Sequence, residues 1–217
     1  MAKPKLAIVE QEETIITIAP PNLKLLRYTL TGTAPLGIQA FSAKAKAIMR
    51  EKHIAGSKAK KGSKRTARDF KEDYEQAFYR DSNGRPGVNA TAFRCALIDV
   101  CRLKGFKMTL AKLSLFIVAD DYDVESGYPI VHIHGNPEPW ERMVTNATGV
   151  ADIRVGPRWT KWSINLNVEF DADQFSASDV TNLLATVGKQ CGIGEGRPYG
   201  KHGVGLGMGT FNVSARA

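Results

Sequence analysis

The spacing of apolar and polar positions changes period several times along this chain, and each change marks an element. In KLLRYTLTG, residues 24–32, Leu26, Tyr28 and Leu30 recur at every second residue, the signature of a strand with one buried face. A Pro-bearing turn, TAPLGIQAF, leads into SAKAKAIMREK, which opens on Ser42 as N-cap and is rich in helix formers. RDFKEDYEQAFYRD, residues 68–81, carries Phe70, Tyr74, Ala77 and Phe78 at helical spacing. The clearest helix is NATAFRCALIDVCRLKG, with Phe93, Ala96, Leu97, Val100 and Cys101 on one stripe, Asn89 as cap and Gly105 as stop.

The second half reads mainly as strands: KLSLFIV (112–118), YPIVHIHG (128–135), VADIRVG (150–156) and KWSINLNVEF (161–170). In the last, Trp162, Ile164, Leu166, Val168 and Phe170 share one face, which places Trp162 in the core. SASDVTNLLATVGKQCG then predicts a capped helix with Val180, Leu183, Leu184 and Val187 turned inward. Residues 192–209, GIGEGRPYGKHGVGLGMG, hold eight glycines in eighteen positions, and TFNVSA follows as an edge strand. Together the elements predict an α+β fold of ferredoxin-like or RRM-like type: an antiparallel sheet, helices packed on one face, and a glycine-rich C-terminal loop.

Composition adds scale and setting. With 217 residues, 43% hydrophobic and 24% charged, the chain can bury a substantial core. We read residues 1–217 as a single domain carrying a basic, flexible insertion at about 52–68. No apolar run approaches the roughly 20 residues needed to span a bilayer, and MAKPKLAIVEQEE lacks the apolar stretch of a signal peptide. A cytoplasmic protein without membrane partners is expected. Three cysteines with no C-x-x-C spacing suggest neither a disulfide framework nor a zinc site.

Charge is concentrated in one place. KHIAGSKAKKGSKRTAR, residues 52–68, carries seven of the eight excess positive charges and no acid. We expect it to order on a polyanion as a phosphate-binding finger, with Lys58, Lys60, Lys61, Lys64, Arg65 and Arg68 as contacts. A solvated linker is the plainer alternative.

Other candidate chemistry is thinner. The four histidines are His53, His132, His134 and His202. His132 and His134 sit two apart on a strand, on the face of Ile130, and offer two metal ligands without a recognisable third. Asp120, Asp121 and Asp123 read as a solvated turn. No metal, cofactor or catalytic residue is assigned. The glycine run lacks the G-K-[ST] of a P-loop, and it follows a helix, not the strand of a dinucleotide site. Trp140, Trp159 and Trp162 lie beside Arg154, Arg158 and Lys161. Trp159, after GPR in a turn, is the candidate for stacking on a base.

Three segments in order, LTGTAPLGIQAFSAKA, GVNATAFRCALIDVC and GIGEGRPYGKHGVGLGMGTFNV, give the chain a resemblance to the RAMP superfamily, which includes the repeat-forming backbone subunits of CRISPR effector complexes. Small phage proteins with a GIG-x-x-RP tail are similar. The resemblance implies an RRM-like core that binds single-stranded nucleic acid and oligomerises head to tail along it as a ring or helical filament. We therefore expect a non-catalytic ssDNA- or ssRNA-binding protein of phage nucleic-acid metabolism, working in the bacterial host cytoplasm. Its contacts would be the basic insertion together with Arg158, Trp159, Lys161, Arg197, Lys201, His202, Gly203 and Gly205. Two alternatives remain: a RAMP-type metal-independent RNA endonuclease using His53 or His202, and a structural phage assembly protein.

Overall fold

Strand β1 (Leu23–Gly32) forms where the two-residue period predicts it, burying Tyr28 and Leu30. The computed structural model describes residues 19–41, 43–56, 68–145, 149, 151–200 and 205–216. After β1 come β2 (Leu36–Gly37), α1 (Ala43–Ala55), α2 (Phe70–Glu75), β3 (Tyr79–Arg80), β4 (Pro86–Asn89), α3 (Ala90–Leu103) and α4 (Met108–Ser114). The remainder runs β5 (Leu115–Val118), β6 (Asp121–Tyr122), β7 (Pro129–His134), β8 (Glu138–Thr145), β9 (Ala151–Trp159), β10 (Ser163–Asp171), α5 (Ala177–Thr186) and β11 (Phe211–Arg216). The architecture is mixed α and β, and the strand pairings are antiparallel.

Two sheets organise the chain. The larger has eight strands in the order β11-β1-β10-β7-β4-β3, with β5 also on β10 and β6 also on β7. That sheet is bigger than a ferredoxin-like fold requires, because β10 shares one edge between β5, along Asn167–Phe170, and β7, at Ser163 and Ile164. The smaller sheet has the order β2-β9-β8. The expected core sits on β10, where Trp162, Ile164, Leu166, Val168 and Phe170 are buried, and against it pack Phe93, Leu97 and Val100 of α3 and Val180 and Leu184 of α5.

Local signals set the helix ends. Asn89 accepts a hydrogen bond from Thr91 N at the start of α3, and Gly105 follows its end at φ 76°. Ser176 and Asp179 form a capping box on α5, which then widens into a π-helical turn over Val187–Cys191.

Two of these elements are corrected, and one strand is new. Residues 112–118 are not one strand: the chain is helical to Ser114 and extended only from Leu115. The helix ends there because Arg94 of α3 donates to the carbonyls of Lys112 and Leu115, a tertiary contact invisible to local periodicity. The helix expected over 68–81 is confined to Phe70–Glu75, since Ala77 and Phe78 turn into the core and Ala77 O accepts from Ala40 N. Strand β8 was not anticipated at all. Among the described residues no helix is long and apolar enough to cross a membrane.

Candidate nucleic-acid interface

The glycine-rich segment is pinned at both ends. Ile193 N donates to Gly209 O, Met208 N to Gly196 O and Gly209 N to Pro35 O, so residues 192–196 and 208–209 close on each other and on the end of β1. Glu195 N donates to Gly37 O at 2.9 Å, which adds the segment to β2 and hence to the edge of the smaller sheet. Glycine is required here by close packing: a Cβ on Gly209, at φ 68°, would collide with the Ile193 carbonyl, and one on Gly194 with the Gly37 carbonyl. Gly205 differs. It is at φ 69°, and no atom of the described residues would crowd a Cβ there.

Beside this corner stands the β8–β9 hairpin, whose register sorts its side chains by face. Arg142 pairs with Arg154, Trp140 with Gly156 and Glu138 with Arg158. Directly opposed residues share a face, so Arg142, Arg154, Arg158, Trp140 and Glu138 lie together. The reverse face carries Val155, Pro157 and Trp159, all buried. Bare Gly37 leaves room for Trp140, whose Cζ3 would be 2.7 Å from a Cβ there. The Arg142 guanidinium sits over the Trp140 ring, 4.4 Å from its centroid.

Arg142 is the unusual group. Its side chain is only 9% exposed, yet its contacts are long: Nη2 to Gln39 Oε1 at 3.3 Å and to Glu195 Oε2 at 3.4 Å. Its Nη1 is buried with no partner among the described residues. Burial pulls its pKa down, Glu195 pushes it back up, and the neighbouring charge of Arg154 lowers it further. Arg158 Nη2 reaches Glu138 at 3.3 Å while its Nε is also buried and unpartnered. Exposed Arg154 makes no ion pair among the described residues.

The predicted contacts divide three ways. Lys58, Lys60, Lys61, Lys64, Arg65, Lys201, His202 and Gly203 lie outside the described residues. Arg158, Lys161, Arg197, Gly205 and Arg68 are described, but only Arg158 belongs to the hairpin face. Lys161 is exposed in the turn before β10. Arg197 is an internal brace, its Nη1 donating to Gly194 O at 3.0 Å. Arg68 closes the basic run by bonding Asp73 at 2.6 Å and Asp152 of β9 at 2.8 Å, which fastens that end of the run to the hairpin. Trp159 is the clear correction. It is 0% exposed and edge-on to Phe78 at 5.9 Å, so no base can stack on it. Trp162 is in the core as expected, donating Nε1–H to Ala34 O at 2.8 Å. Arg142 was missed, and Trp140, grouped with the other tryptophans, was passed over for Trp159, because EPWERMVT carries no clean alternation; the signal available was two arginines, Arg142 and Arg154, equidistant from one turn.

The histidine and acidic clusters make a second polar centre. Asp81 Oδ2 lies 3.1 Å from His132 Nε2, and Asp120 Oδ2 is 3.5 Å from His132 Nδ1. His134 turns to Asn165 instead, so the two histidines do not converge. Asp81, Asp121 and His132 bring ligand atoms within 4.8 Å of one another, but Arg85 already supplies a cation, with Nε 2.7 Å from Asp81 and Nη2 4.0 Å from Asp121. Asp123, expected in a solvated turn, is buried and accepts from Arg80 N and Ser126 N.

No family model and no curated protein matches the chain.

Proposed function

We propose that this protein binds single-stranded nucleic acid along the β8–β9 face and the adjoining glycine-rich segment. The observation that carries the reading is the cross-strand pair Arg142 and Arg154. Like charges placed directly opposite destabilise a hairpin, and a buried guanidinium with a bare donor costs free energy that folding does not return. Phosphate bound at that pair relieves both penalties. Arg154 and Arg158 lie four residues apart on one strand, about 13 Å at roughly 3.3 Å per residue, too far for one phosphate and suited to two separate phosphates of a polymer. The basic run that ends at Arg68, tied to Asp152, would extend the positive surface.

Two further features support the RAMP-like reading. Strands β11, β1, β10 and β5 pair antiparallel in that order within the larger sheet, and with α3 and α5 they would serve as the βαββαβ unit that the resemblance implies. The glycine-rich segment joins the last helix to the last strand of that unit. Among the described residues both β11 and β8 are edge strands, which would be available for assembly along a strand. Because Trp159 is buried and the Trp140 ring already carries the Arg142 guanidinium, affinity would come from phosphates with little base discrimination.

Fluorescence anisotropy with labelled ssDNA, ssRNA and duplex over a salt series tests this. Single strands should bind, more weakly as salt rises, and the Arg142→Met/Arg154→Ala double variant should lose at least about tenfold affinity with an unchanged melting curve. No binding to any nucleic acid would reject the proposal in favour of an assembly role. Metal-independent cleavage of the RNA would favour the nuclease.

A further inference from the structure

We propose that Glu195 is a built-in competitor for the anion site on Arg142, a carboxylate that occupies the guanidinium in the free protein and is displaced when a phosphate group arrives. The inference rests on the nucleic-acid reading only for the ligand being a polymer; the site itself would take any phosphate oxyanion.

The geometry supports a removable contact. The Glu195 backbone is fixed by its bond to Gly37 O, so movement is confined to the side chain, which is 39% exposed and has solvent to swing into. Its 3.4 Å contact with Arg142 is long beside the roughly 2.7–2.9 Å of a well-formed charge-assisted hydrogen bond. Arg142 cannot follow it outward, because Trp140 lies against the guanidinium and Gln39 is on the same nitrogen as Glu195. The guanidinium is thus held in position with its hydrogen-bonding incomplete. A phosphate presents several oxygens to the guanidinium fork, whereas the carboxylate makes one long contact with Nη2. Displacement also removes a negative charge from the path of an incoming polyanion and leaves Arg142 and Arg154 facing it together. The free protein therefore shields Arg142 from weak monovalent anions and releases it to phosphate.

The test compares wild type, Glu195→Gln, Arg142→Met and the double variant, by anisotropy with labelled ssDNA and ssRNA and by thermal melts with inorganic pyrophosphate. Glu195→Gln should raise single-strand affinity about threefold or more and enlarge the pyrophosphate-induced rise in Tm. Both gains should vanish in the Arg142→Met background. Glu195→Asp, which keeps the charge but shortens the reach, should give a smaller gain. A gain that survives Arg142→Met would overturn the proposal as a general charge effect. A loss of affinity in Glu195→Gln would overturn it too, by making Glu195 a clamp that prepares Arg142. If no variant binds a single strand while pyrophosphate stabilises Glu195→Gln through Arg142, the competitor stands and the nucleic-acid reading falls. If single strands bind and neither readout responds to Glu195, the reverse holds.

Discussion

Two buried charges in this molecule are treated in opposite ways. The Asp81 side chain is 0% exposed and accepts hydrogen bonds from Asn83 N, Arg85 N and Arg85 Nε at 2.7–2.8 Å, with His132 Nε2 at 3.1 Å. Burial alone would push its pKa up, but these bonds and the Arg85 charge outweigh that and hold it at about 2. Arg142 has two long contacts and one bare nitrogen. The Asp81 site is complete within the chain and orders the β3–β4 turn around it. Among the described residues the Arg142 site is not complete, and the missing acceptor is the strongest pointer to an external ligand that they contain.

That contrast can be broken by substitution. Asp81→Ala should give the largest effect, a marked fall in Tm, because it strips Arg85, His132 and two backbone N–H groups of their acceptor at once; strand affinity of the folded fraction should stay native. Its pH signature has a definite sign. A carboxylate lowered from 3.8 to about 2 stabilises the fold fully above pH 3.8, and that contribution is lost as pH falls through 2. The stability gap between wild type and Asp81→Asn, followed by circular dichroism, should therefore shrink between pH 5 and pH 2.

Arg142→Met should do the converse, lowering single-strand affinity about tenfold while leaving Tm unchanged or slightly raised, since a buried orphan donor disappears. An affinity loss accompanied by an equal loss of stability would make Arg142 a structural residue like Asp81. Smaller again, Gly205→Ala should cost only about 1–2 kcal/mol, the strain of a positive φ in open space, whereas Gly209→Ala adds a collision with Ile193 and should be clearly worse in the same melts. Smallest is the salt response: Arg154→Ala and Arg158→Ala should each flatten the log–log salt slope by roughly 0.7 if each meets one phosphate of a single strand.

How much of this was legible beforehand varies by element. The glycines of the 192–209 run do not share one role. Gly194 and Gly209 are needed for the segment to close on β2 and on itself, while Gly205 has no such internal reason. Periodicity located β1, α3, β10 and α5, because in each the inward-facing apolar residues recur with a single period. It failed at 112–118, where a helix end and a strand start run together within seven residues. It failed at β8 because both faces there are partly exposed, so polar and apolar positions do not separate.

The choice between tryptophans shows the boundary most plainly. Sequence by itself determined that aromatic and basic residues gather between 140 and 162, that the excess charge sits in one stretch, and that a capped helix gives way to a glycine-rich link before the last strand. Only the tertiary structure decided that Trp159 is core, that Trp140 supports Arg142, and that Arg142 faces Arg154 across a hairpin with Glu195 brought in from more than fifty residues away. The physical reason is that composition and period report which face of an element is apolar, whereas the partners of a buried charge are set by strand register and by the packing of distant segments, and neither is written in any local window.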